Sequence, residues 1–153
     1  MEFVEFLLNA KNSTYANPEL AITRQLEDGT KELIFETASF KYRDRYFGFN
    51  PFLGEEVVWE DGKPVWAMNY AGLVTDPASS GDEVYKFLQK AMRQVGPDRP
   101  FRGPDHYQEG DFEYFDQSEG DLNFFTGIEK IYFRGQEVYR LYYHGGNIRE
   151  KSL

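Results

Sequence analysis

Two glutamates, Glu56 and Glu129, hold the same position in two related stretches, GEEVVWEDGKPVWAMNYAGL at 54–73 and GIEKIYFRGQEVYRLYYHGG at 127–146. At an offset of 73, Gly54/Gly127, Glu56/Glu129, Gly62/Gly135, Val65/Val138, Tyr70/Tyr143 and Gly72/Gly145 are identical. A carboxylate among aromatic and β-branched neighbours can recognise a cationic ligand, with ring faces adding cation–π attraction. If Asp61-Gly62 and Arg134-Gly135 are two-residue hairpin turns, Glu129 lies opposite Arg140, a cross-strand ion pair worth roughly a few tenths of a kcal/mol. Glu56 then lies opposite Ala67 with no base in view, either as a ligand-binding carboxylate or simply facing water.

Other reactive side chains are scattered. His106 and His144 fit no zinc spacing. His144, in YYHGG, is expected at a strand end, as a turn residue or as a donor at a pocket rim. Arg102, in PFRGP, can bind an anion together with backbone N–H groups, or tie down loop carbonyls. Seven acids lie between Asp105 and Asp121, but the ordered donors of an EF-hand loop are missing, and strand alternation explains Asp111 and Glu113 as solvent-facing partners of Phe112 and Tyr114. The chain has no cysteine, which excludes disulfides and thiolate chemistry. No nucleophile elbow, phosphate loop or dinucleotide fingerprint is present. We therefore assign no catalytic residue, cofactor site or metal ligand. A hydrolase or isomerase using carboxylates with His106 or His144 has no spacing to support it.

Composition narrows the classes further. The net charge of −9 and pI near 4.7 oppose direct nucleic-acid binding, which needs clustered Lys and Arg. FKYRDRYFGF at 40–49 interleaves base and ring like an RNA-binding strand, but alternation puts Lys41, Arg43 and Arg45 on one solvated face, and the matching positions are Glu113, Phe115 and Gln117. Aromatic residues make up 18%, with fourteen Phe and eleven Tyr, which suits either a strand-rich core or an aromatic cavity. Glu2 and Glu5 stand where a secretory signal would be basic and no stretch approaches a membrane span, so a cytoplasmic protein without membrane association is expected.

The elements that must position these residues follow from periodicity. SGDEVYKFLQKAMRQV places Val84, Phe87, Leu88, Ala91, Met92 and Val95 on one helical face, with Ser80 and Glu83 as a capping box and Gly96-Pro97 as the stop. EFVEFLLNAK repeats the pattern with Phe3, Phe6, Leu7 and Ala10. At an offset of 72 the strand resemblance extends upstream through Phe40/Phe112, Tyr42/Tyr114 and Asp44/Asp116. Segments 14–31 and 97–110 read as loops, the second rich in Pro and Gly. The expected architecture is a single α+β domain over 1–153, a tandem duplication (about 1–75 and 76–150) of a helix plus a three-stranded antiparallel unit. This predicts a six-stranded, mainly antiparallel sheet, able to curl towards a partial barrel, with two helices and extra strand residues at 32–38. Plain two-residue turns give a core face of Leu53, Val57, Trp59, Trp66, Met68, Tyr70, Ile128, Tyr132, Tyr139, Leu141 and Tyr143, with Glu56 and Glu129 opposite; a bulge swaps these assignments.

Four strings in order, FLLNAKNSTYA, FLGEEVVWEDGKPVWAMNYAG, FRGPDHYQEGDFEY and VYRLYYHGG, resemble the bacterial domain of unknown function 5680 family over nearly the whole chain. The resemblance implies a small cytoplasmic module found alone or behind an Xre-type helix-turn-helix, a setting usual for regulatory domains, with no established activity. With no room for a helix-turn-helix before Phe3, any DNA-related role is expected to be indirect. In fold, duplicated helix-plus-sheet units with aromatics around a glutamate are similar to GyrI-like effector-binding domains, some of which bind cationic drugs through such a carboxylate, although helix-first order is a permutation of that pattern. The reading that follows is a non-enzymatic sensing or accessory domain. It would bind a cationic or aromatic ligand between the repeats through Glu56, Glu129, Trp66, Tyr70, Tyr139, Tyr143, Arg102 and His144. The alternative is a protein-interaction module, dimeric or partner-bound, that buries an aromatic face.

Overall fold

Apolar residues recurring every three to four positions form the two helices. In the computed structural model, which describes residues 2–151, α1 (Phe3–Asn12) buries Phe6, Leu7, Ala10 and Lys11. The second helix, α2 (Gly81–Met92), buries Val84, Phe87, Leu88, Ala91 and Met92, and it starts where the Ser80 hydroxyl accepts the Glu83 N–H at 3.4 Å. Neither helix, nor any other among the described residues, is long and apolar enough to cross a membrane.

The strands are β1 (Arg24–Gln25), β2 (Lys31–Glu36), β3 (Phe40–Gly48), β4 (Phe52–Glu60), β5 (Lys63–Val74), β6 (His106–Glu109), β7 (Phe112–Asp121), β8 (Phe124–Phe133) and β9 (Gln136–Asn147). They form one antiparallel sheet in the order β1-β2-β3-β4-β5-β9-β8-β7-β6. The expected six-stranded sheet is thus corrected to nine strands, because β1 and β6 add flanks that strand-unit matching did not include and the extra strand residues expected at 32–38 form a full member of the sheet, β2. β6 falls inside the segment read as a loop. Its prolines, Pro97, Pro100 and Pro104, all precede His106, which leaves HYQE free to donate to β7. The sheet does not close on itself: β1 and β6 are its edges, and among the described residues no pairing joins them.

Both hairpins turn as two-residue loops with positive φ, Asp61 (48°) with Gly62 (81°) and Arg134 (49°) with Gly135 (79°). In the first hairpin the first pairs, Glu60↔Lys63 and Trp59↔Pro64, keep the simple register, but a shift between Val58 and Trp59 then sets Val58↔Trp66 and Glu56↔Met68. The second hairpin shifts between Ile131 and Tyr132 in the same way, giving Ile131↔Tyr139 and Glu129↔Leu141. One extra residue on the outgoing strand, Val65 or Val138, reverses the facing of β4 and β8 while β5 and β9 keep theirs. Hence Trp66, Met68, Tyr70, Tyr139, Leu141 and Tyr143 are core as expected. Glu56, Val58, Glu129 and Ile131 join them, and Leu53 and Ile128 face outward, half exposed.

The core lies between the helices and one sheet face. Phe6 stacks on Phe40 at 4.9 Å, and Phe87 stacks on Phe112 at 5.0 Å, fixing each helix to its own side of the sheet. Among the described residues, neither helix covers the opposite face.

Candidate ligand-binding site

On the helix-facing side of the sheet, Asp44 on β3 pairs with Glu56 on β4, and Asp116 on β7 pairs with Glu129 on β8. All four carboxyls are taken out of water, with exposures of 2%, 0%, 5% and 0%. Such groups persist only where cations or donors meet them. Glu56 Oε1 accepts from Lys11 Nζ at 2.8 Å and from the Tyr42 hydroxyl at 2.5 Å. Lys11 also donates to the Phe101 carbonyl (2.7 Å) and to Tyr15 (3.2 Å), and lies over the Tyr15 and Trp66 rings. Burial pulls the Lys11 pKa down, against the pull of Glu56 in the other direction. Glu129 is held differently, by both Nε (3.4 Å) and NH2 (3.1 Å) of Arg102 and by the hydroxyls of Tyr114 (2.5 Å) and Tyr139 (2.7 Å).

The two aspartates each accept one tyrosine from two strands away. Tyr70 on β5 crosses β4 to reach Asp44 Oδ1 at 2.5 Å, and Tyr143 on β9 crosses β8 to reach Asp116 Oδ1 at 2.7 Å. Glycine makes both crossings feasible: a Cβ on Gly54 would collide with the Tyr70 hydroxyl, and one on Gly127 with the Tyr143 ring. Burial, and then the neighbouring Glu56, pushes the Asp44 carboxyl up to about 7. Burial and Glu129 push Asp116 to about 7 likewise. Burial, followed by Asp44, holds the Tyr70 phenol well above its ordinary value.

A cavity of about 560 Å³ opens over Asp44, within the range of small-molecule sites. Its floor is Leu33, Asp44, Tyr46, Phe52 and Tyr70 from the sheet, and its walls are Tyr85, Leu88 and Met92 of α2, Tyr15 and Arg102. Tyr70 occupies Asp44 Oδ1, leaving Oδ2 with no hydrogen bond among the described residues. Arg102 spends Nε and NH2 on Glu129, which leaves NH1 likewise free among the described residues. Neither atom is among those sealed from solvent, unlike Glu56 Oε2 and Asp116 Oδ2, which are buried without a partner among the described residues. The site can therefore offer one carboxyl oxygen and one guanidinium nitrogen to a guest inside an aromatic shell.

Of the residues singled out from sequence, Tyr70 and Arg102 line this cavity. Glu56, Glu129, Trp66, Tyr139 and Tyr143 are buried beside or beyond it, outside its lining. Glu56 has a base after all, Lys11, and its Cα partner is Met68 rather than Ala67. Arg140 pairs with Glu137 at 2.7 Å rather than with Glu129. Arg102 ties down no loop carbonyl among the described residues; its Nε and NH2 are spent on Glu129. His144 is exposed on the outer face between Asn69 and Thr126. His106 Nε2 lies 2.7 Å from Glu113 Oε2, a half-exposed pair on the β6 edge away from the cavity. Sequence reasoning missed Asp44, Asp116 and Lys11. The same alternation that turns Lys41, Arg43 and Arg45 outward turns Asp44 inward beside Tyr42, and that was the signal that could have found the aspartates. No group of three His, Cys, Asp or Glu among the described residues is placed to hold a metal ion.

A family model described as Domain of unknown function (DUF5680) matches residues 44–148, from Asp44 itself through β9. No curated protein and no solved structure matches the chain.

Proposed function

The chain belongs to the domain of unknown function 5680 family, and we propose that it is a non-enzymatic small-molecule-binding domain, sensing or accessory in role, with its site in the Asp44 cavity. The observation that carries this reading is the unpartnered Oδ2 of a buried carboxyl on the floor of an aromatic cavity. A guest with an aromatic body and a basic nitrogen satisfies that oxygen and stacks on Tyr46, Phe49, Phe52 or Tyr85. Glu56, which the sequence suggested for this role, is spent on Lys11, so Asp44 takes the ligand and Glu56 anchors α1. We further read the two halves as copies of one unit. In each, an aspartate, a glutamate and a tyrosine that crosses over a glycine recur at equivalent places. The copies have diverged around the aspartates: Asp116 faces Arg99 at 3.8 Å, whereas Asp44 lines the cavity under α2.

The reading predicts a pH signature. A cation binds the ionised form of Asp44, whose pKa near 7 means that affinity rises with pH up to about 7 and then levels off. The test is thermal denaturation of the parent and of Asp44→Asn with aromatic amines and their neutral isosteres. A binder at 100 times its dissociation constant stabilises by about 2.7 kcal/mol, or roughly 5–10 °C at this size. A shift with amines that disappears in Asp44→Asn is expected. Equal shifts in both proteins, or none with any amine, would sink the proposal.

One observation favours a second reading, a protein-interaction surface. On the uncovered face Leu53, Ala71, Tyr142 and Ile128 lie in one row across β4, β5, β9 and β8, with Leu53, Tyr142 and Ile128 at 50%, 48% and 40% exposure.

A further inference from the structure

We propose that the guest of the Asp44 cavity is an α-amino-acid-like zwitterion with an aromatic body, its ammonium on Asp44 Oδ2 and its carboxylate on Arg102 NH1. This deepens the proposed function and rests on it. The ring of Tyr70 joins the two poles of the site. Its hydroxyl donates to Asp44, and the Arg102 guanidinium lies over its face, 5.3 Å from the centroid. The free oxygen and the free nitrogen therefore belong to two side chains that touch the same tyrosine and line the same cavity, so that one guest carrying both charges on a single carbon can address both.

A lone ammonium fits this wall poorly. Arg102 stands beside Asp44 and repels a bare cation, although bidentate pairing with Glu129 moderates its charge. A lone carboxylate meets the converse difficulty at Asp44. A guest that carries both charges satisfies both atoms and brings no net charge into a site whose neighbouring buried charges are already paired, Lys11 with Glu56 and Arg102 with Glu129. Tyr15 stacks on the guanidinium at 5.2 Å and holds its plane in place. Leu33, Leu88, Met92, Phe49 and Phe52 then receive the apolar side chain, and they favour a flat or branched hydrocarbon body over a polar one.

The experiment is calorimetric titration of the full chain with two series of probes: L-phenylalanine, phenethylamine and 3-phenylpropionate, then L-tryptophan, tryptamine and indole-3-propionate. At least one amino acid is expected to bind about tenfold or more tightly than both of its single-charge relatives, the size of effect that one further charge-assisted hydrogen bond supplies. Arg102→Lys keeps a cation for Glu129 and removes NH1; it is expected to lower amino-acid affinity about tenfold more than it changes amine affinity, closing the gap between the two. If amines bind as tightly as amino acids, the zwitterion is overturned and the Asp44 reading stands. If the acids bind best, Asp44 loses its role as well, and if nothing in either series binds, both proposals fall. The probe comparison needs no variant, so misfolding of Arg102→Lys does not rescue the idea.

Discussion

At the scale of single residues, the buried Lys11–Glu56 pair makes a sharp prediction. Both side chains have no exposure, so removing one leaves the other as an uncompensated charge. Glu56→Gln and Lys11→Met are each expected to cost about 3–5 kcal/mol in urea denaturation, and the double variant less than the sum, because it strands nothing. Strict additivity would show that the pair does not interact. The aspartates give a pH prediction. Asp116 has a folded pKa near 7 against roughly 4 unfolded, so between about pH 4 and 7 the folded state holds the extra proton. Stability must then fall as pH rises through that window and level off above it. Asp116→Asn is expected to flatten the slope, by up to roughly 4 kcal/mol between the ends of the window. A parent whose urea midpoint does not fall from about pH 5 to pH 7 contradicts this. Their matching places in two similar stretches made the glutamates legible in the sequence, but not what they bind, since Lys11 lies 45 residues before Glu56 and Arg102 27 before Glu129. No local pattern links positions so far apart.

At the scale of elements, two kinds of glycine separate space from conformation. A Cβ at Gly62 would meet nothing within 4 Å, but the residue sits at φ +81°, so Gly62→Ala is expected to cost about 1 kcal/mol through the backbone alone. Gly127 has no positive φ, yet a Cβ there would collide with the Tyr143 ring, displacing it from Asp116. Gly127→Ala is therefore expected to cost about 2–4 kcal/mol, the sum of overpacking and a lost buried hydrogen bond. Adding Tyr143→Leu, which removes the colliding ring, should make Gly127→Ala markedly less costly; an unchanged cost would show that the glycine serves something other than the crossing. The turns were readable because Asp-Gly and Arg-Gly between strand-like runs suit positive φ. The bulges were not, because Val65 and Val138 look like any strand residue, and only the packing of Glu56 and Glu129 inward fixes where the extra residue goes. For the same reason the core could be read on β5 and β9 but came out largely reversed on β4 and β8, where Val57 is nonetheless buried as expected. HYQE at 106–109 is too short to show a period, so β6 was hidden behind its prolines.

At the scale of the whole molecule, both helices cover one face of a nine-stranded sheet, and this splits the two functional readings between opposite sides. The cavity lies under α2, whereas the row Leu53, Ala71, Tyr142 and Ile128 crosses the centre of the bare face, where β5 meets β9. A specific interface buries about 800 Å² on each partner, an area for which this central row supplies the apolar middle and Lys41, Arg45 and Glu55 a charged rim. Self-association through this face is expected to appear in sedimentation equilibrium as a mass above 17.9 kDa that rises with concentration, and to be abolished by Tyr142→Lys. The same substitution should leave ligand-induced thermal shifts unchanged, since the sheet backbone separates Tyr142 from the cavity floor. A parent that stays at 17.9 kDa at high concentration removes self-association through this face, while a Tyr142→Lys variant that loses ligand binding would mean that the two faces are coupled through the sheet.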